Sequence, residues 1–264
     1  MVARQDQTTD PQLVAGLLQA RRGTAFFARK LNELSDTELD EPSLLPGWTR
    51  RHIAAHVGYN ARAIARLIEW AATGVETPMY ASPEARNDEI SFGATLSPIA
   101  LRNLFDHSAV HLSVEWRDLP AHAWAREVRT AQGRVVPASE TIWMRSREVW
   151  VHAVDLNNGA TFSDVPHDVL TRLLHDITSA WAGRGTDEGL VVQVGQPARA
   201  TPPPPADRKS AGPTTQGPTT EGPTTVTGSL AGLVRWATGR GVVEVAACED
   251  GVALTQTPAA PRWI

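Results

Sequence analysis

Cysteine is almost missing from this 264-residue chain. The single thiol, Cys248, has no internal partner, so no disulfide braces the fold. It lies in the run 244–250, which reads as a strand entering a turn, and the expected role is a buried structural thiol. Long apolar runs are also lacking. No stretch approaches the length of a membrane span, and the first residues, Met-Val-Ala-Arg-Gln-Asp, do not form the hydrophobic stretch of a secretory leader. Both absences point to a cytoplasmic protein with no membrane partner. Nor is there a block of Lys and Arg. With a net charge of -4 and a pI near 6.1, a nucleic-acid partner is disfavoured, whereas a small anionic substrate needs only a local arginine.

What is present suffices for a large core. Hydrophobic residues make up 42% of the chain and nine of them are tryptophans, which supports one or two domains. Residues 1–187 read as mostly helical, with helices near 11–34, 49–73, 98–118, 139–157 and 166–183. Such a series suits an antiparallel helical bundle, and the connection 77–87 crosses one end of it. After residue 188 the pattern changes. Strands are expected at 190–194, 242–245 and 252–255 and a short helix at 229–238, which makes 188–264 a small α/β domain and the whole chain α+β. Between its first strand and its helix lie four consecutive prolines and three Gly-Pro-Thr-Thr repeats. That composition builds no core, and an exposed loop is expected over about 199–225.

Chemistry concentrates in two of the helices. Glu148 and His152 are four residues apart, so they share one helix face. At about 100° per residue they border the stripe of Ile142, Val149, Ala153 and Leu156, which distinguishes them from a solvated surface pair. On the helix opened by Thr49, His56 and Asn60 fall beside the stripe of Ile53, Val57, Ile64, Leu67 and Ile68. His52 lies towards its margin. His56, Glu148 and His152 together would hold one divalent metal and leave a coordination position open, as catalytic zinc requires. Two readings of His56 stay open on spacing alone, ligand or hydrogen-bonded core histidine. Asp155, one turn beyond His152, either orients a ligand or ends a helix. Arg240, after Gly239, either forks onto a substrate carboxylate or neutralises a helix C-terminus.

The runs 44–57 (LLPGWTRRHIAAHV), 77–87 (TPMYASPEARN), 145–156 (RSREVWVHAVDL) and 228–241 (GSLAGLVRWATGRG) together resemble the mycothiol-dependent maleylpyruvate isomerases over almost the whole chain. The resemblance implies a DinB-like helical bundle with a zinc site, followed by a small α/β domain. It places the metal ligands on His56, Glu148 and His152 and an essential arginine on Arg240. It further implies one zinc per chain, mycothiol as cofactor, a small anionic substrate and cis-trans isomerisation of maleylpyruvate to fumarylpyruvate in gentisate breakdown; apart from the resemblance, a monomer is expected. Two alternatives belong beside it. A related mycothiol S-transferase would conjugate electrophiles without isomerising them, and a non-catalytic metal-stabilised module would close its site with a fourth ligand such as His52.

Overall fold

The computed structural model describes residues 5–196 and 222–263 and forms two compact units, Met1–Thr161 and Phe162–Ile264. Most of the loop expected at 199–225 lies outside the described residues.

Capping chemistry sets the helices of the first unit. In α1 (Pro11–Asn32), Asp10 accepts hydrogen bonds from the amides of Gln12 and Leu13, and proline occupies the first turn, where its missing N–H costs nothing. α2 (Arg50–Thr73) starts at Thr49 and stops at Gly74, whose φ of 79° is the left-handed conformation that ends helices. α4 (Pro98–Asp118) repeats the Ser-Pro start at Ser97, and α5 (Glu140–Asp155) follows a short hairpin of β1 (Glu127–Arg129) and β2 (Val135–Pro137). An additional helix, α3 (Pro83–Ala94), begins inside the connection 77–87 and runs past its end. Its signal was Ser82, which accepts from the Ala85 amide ahead of a first-turn proline.

Four of these helices form a bundle around buried Leu17, Ala20, Ile64, Leu67, Ile68, Leu112, Trp116 and Ile142. The antiparallel packing expected of the bundle is found where α2 meets α5 and α1 meets α4. Asn60 and His56 face Arg145 and Glu148 in reversed order, and Phe27 and Arg21 face Phe105 and Ser113. The other two neighbouring pairs run parallel. A Cβ on Gly16 would meet Ile142, and one on Gly23 would meet Val149 and Trp150 at 2.6 Å, so α1 lies along α5 in the same direction, with α5 side chains seated against its glycines. Likewise Arg51 bonds the Leu96 carbonyl just before α4, while Gly58 faces Leu104 and Phe105. Parallel neighbours need a crossover connection, and α3 lies within the one between α2 and α4.

In the second unit, α6 (His167–Arg184) and α7 (Leu230–Ala237) pack together, with Trp181 edge-on to Trp236 at 5.7 Å between ring centroids. The sequence pattern had grouped α6 with the helical domain ending at 187; its packing groups it here. The sheet has the order β3 (Leu190–Val194), β4 (Thr224–Gly228), β5 (Val245–Glu249), β6 (Val252–Ala253), with β3 and β4 parallel and the rest antiparallel. Two differences from the sequence expectation have physical causes. The last Thr-Thr of the repeats opens β4, because Val226 of that strand is fully buried. β5 begins at 245 and not 242, since Gly241 and Glu244 have positive φ and break the extended run. Cys248, on β5, is half-buried and not fully enclosed.

Candidate metal centre

One arginine fixes how α2 and α5 meet. Arg50, buried at the first turn of α2, donates from Nε to the Leu156 carbonyl and from Nη2 to the Asn157 carbonyl, both at 2.7 Å. Its Nη1 donates to the Glu38 carbonyl at 3.0 Å and to Glu41 at 2.7 Å. The carbonyls just past the C-terminus of α5 are thereby satisfied by the N-terminal residue of α2. This tie brings His56, one and a half turns into α2, opposite Glu148 and His152 on α5.

His56 Nε2 lies 2.9 Å and His152 Nε2 3.3 Å from the same oxygen, Glu148 Oε2, and the three ligand atoms are all within 4.8 Å of one another. Donors bonded at about 2.1 Å in tetrahedral geometry stand about 3.4 Å apart. Two imidazoles and a carboxylate at this separation fit a divalent metal with little rearrangement. Among the described residues this is the one cluster with such a donor set. His152 donates from Nδ1 to Oδ2 of fully buried Asp155 at 2.8 Å, which keeps its Nε2 facing Glu148 and the metal position. Around the site, Trp48 stands edge-on to His56 at 5.6 Å, and buried Arg145 donates to the Val57 carbonyl at 2.7 Å and to Asn60 at 3.0 Å.

The protonation states of two of the three donors, His56 and Glu148, suit a ligand set. Burial pulls His56 down to about 4, against the opposing hydrogen bond to Glu148, so the ring is neutral at pH 7. For Glu148 burial alone would raise the carboxyl, but hydrogen bonds from His152 and His56 outweigh it and hold the group well below the usual carboxylate range. Burial likewise works against charge on His152, but its hydrogen bonds to Asp155 and Glu148 win and raise it. Nearby, burial pushes the Tyr80 hydroxyl up to about 12.

The structure thus brings together His56, Glu148 and His152, of which spacing alone had joined only the last two, and gives Asp155 a hydrogen bond to one of them. His52 takes a different part. Its Nδ1 accepts from the Thr49 amide at 3.2 Å, closing a capping box at the start of α2, so it is not a fourth donor. Arg240 belongs to the second unit. It follows α7 between two glycines of positive φ, is half-buried, and donates from Nη1 to the Thr238 carbonyl at 2.5 Å. Sequence reasoning missed Arg50, Arg86 and Arg145. The signal for Arg145 was its place three residues before Glu148 on the same face; nothing local marked Arg50.

Residues 20–157 match the family model described as the mycothiol maleylpyruvate isomerase N-terminal domain. No curated protein matches the chain. Among solved structures, it is similar to the crystal structure of the mycothiol-dependent maleylpyruvate isomerase, at 49% identity over 95% of this chain and 97% of that one, with a TM-score of 0.81. The structure of a histidine-to-alanine mutant of that enzyme matches at 48% identity, with the same coverage and TM-score. With such identity maintained from the helical bundle through the small sheet, the chain belongs to the mycothiol-dependent maleylpyruvate isomerase family.

Proposed function

We propose that this protein isomerises maleylpyruvate to fumarylpyruvate in the cytoplasm, in aromatic-acid breakdown through gentisate, with mycothiol as cofactor and one zinc held by His56, Glu148 and His152. The observation that carries the reading is the convergence of these three donors in a chain 49% identical, over 95% of its length, to an enzyme of that name. The unit that carries the cluster contains no cysteine, since the chain's one cysteine is on β5 of the other unit. An external thiol therefore fits the chemistry.

Rotation about a carbon-carbon double bond is slow until that bond becomes single. Addition of a thiolate forms a carbon-sulfur bond and sends the π electrons to the conjugated carbonyl oxygen, giving an enolate. The carbon-carbon bond then rotates, and collapse of the enolate restores the double bond and expels the thiolate, with no oxidant consumed. When bound, zinc supplies an open coordination position and favours the ionised form of a thiol near neutral pH. Glu148 is already ionised and His56 already neutral, so neither ligand needs a base to prepare it. Asp155 orients His152 through Nδ1. To Arg240 we assign a guanidinium fork on the substrate, stabilising charge that develops on addition.

The test is product analysis with maleylpyruvate in the presence and absence of mycothiol, on protein of measured zinc content. Thiol-dependent formation of fumarylpyruvate supports the reading. A stable thiol conjugate with no trans product would replace it with S-transfer.

A further inference from the structure

Arg86 stands at the metal centre without a role in this chemistry. It is carried by α3, which approaches α2 so closely that a Cβ on Gly93 would lie 2.7 Å from both Ala55 Cβ and Tyr59 Cε2. Its Nη2 is 3.4 Å from His56 Nδ1, its guanidinium lies 6.0 Å from the centre of the Tyr80 ring, and Nη1 bonds its neighbour Asn87 at 3.2 Å. Among the described residues no carboxylate pairs with it in a salt bridge.

Two physical arguments give it a ligand. The first is the hydrogen-bonding state of His56. With Nε2 given to a metal, the ring proton is on Nδ1, and a guanidinium N–H cannot donate to another N–H. The contact at 3.4 Å belongs to the other tautomer, so a held metal turns the Arg86 donors towards a different acceptor. The second is charge. Glu148 and Asp155 balance a divalent ion, which leaves Arg86, Arg145 and Arg147 as positive excess, the last with Nη2 3.5 Å from Glu148 Oε1. Arg145 is enclosed at 1% exposure, with Nη1 given to Val57 and Asn60 and Nη2 buried without a partner among the described residues, and Arg147 pairs with Glu148, whereas Arg86 is half-buried on a helix outside the bundle. A cation that stays charged beside a metal calls for an anionic guest.

We propose that Arg86 binds a carboxylate of the substrate beside the metal and so selects an acid over its neutral ester. This deepens the isomerase reading and rests on it for the identity of the substrate. In zinc-loaded protein, Arg86→Gln should keep one zinc per chain by elemental analysis. Its KM for maleylpyruvate should rise about 10- to 100-fold, the scale of a lost charged hydrogen bond, while kcat and the KM for mycothiol stay near wild type. Arg86→Lys should recover little, since it loses the planar fork. Maleate, a simple dicarboxylate, should bind the wild type and lose affinity by a similar factor in Arg86→Gln by isothermal titration. Unchanged maleate affinity, loss of zinc, or a rise in the mycothiol KM alone would each overturn the assignment. If the wild type fails to isomerise, the isomerase reading falls, and the maleate titration still decides the role of Arg86.

Discussion

Replacing Asp155 tests whether the hydrogen bond behind His152 sets the strength of the metal site. Asp155 is fully buried, and its Oδ2 accepts from His152 Nδ1 at 2.8 Å. Asp155→Asn keeps the shape but removes the charge, and its amide has to present oxygen to the imidazole, which leaves an NH2 group enclosed. Two effects follow, of different sizes. The lost charge-assisted hydrogen bond costs about 1–3 kcal/mol of folding stability. Loss of a partner that orients a ligand and raises its basicity weakens metal binding by roughly 10- to 100-fold, or about 1.4–2.7 kcal/mol. Zinc competition against a chromophoric chelator at pH 7.5 reads the second, and urea denaturation of the metal-free protein reads the first. The backbone carbonyl of Asp155 still accepts from Leu44 in the variant, so the helix end remains tied. A folded Asp155→Asn protein with wild-type zinc affinity would refute the orienting role, whatever its stability.

Glu148→Gln and His152→Ala, which remove donors outright, should weaken zinc more than the Asp155 variant and abolish isomerisation with it; undiminished zinc in both would mean the ligands are misassigned. Arg50→Met strips partners from the carbonyls of Glu38, Leu156 and Asn157 and should destabilise the protein by about 3 kcal/mol, so a loss under 1 kcal/mol in urea denaturation would contradict its role as the tie between α2 and α5. Arg240→Ala should retain zinc while its turnover number falls, with little recovery in Arg240→Lys; wild-type kinetics would remove it from the mechanism. In metal-free protein, the depressed His56 binds its proton only near pH 4, whereas an unfolded histidine does so near 6.5. The folded state therefore loses stability as pH falls through that window, by up to about 3 kcal/mol. His56→Gln should show a flatter stability profile between pH 6.5 and 4, and an equally steep one would exclude His56 as the source.

Local signals in the sequence determined α1, α2, α4, α5 and α6, because each combines an apolar stripe with a start or stop that acts within one turn. Ser97-Pro98, Thr49 and Gly74 are such signals, and the structure uses all three. The pairing of Glu148 with His152 was equally local, being fixed by helix geometry once the helix was recognised. For His56 only its face was legible. Its meeting with Glu148 depended on the register of α2 against α5, which Arg50 sets through carbonyls more than a hundred residues away. The same limit hid α3, which buries only Ile90 and Gly93 and so carries no stripe, and β4, whose threonines become a strand only between β3 and β5. The parallel pairing of α1 with α5 and of α2 with α4 also had no sequence signature, since helix direction within a bundle follows from the crossover and from close approaches such as Gly23 on Val149. Periodicity specifies which face of an element is buried, while its partner and the registration of the two are decided by contacts between residues distant in the chain, and the metal centre is built from such contacts.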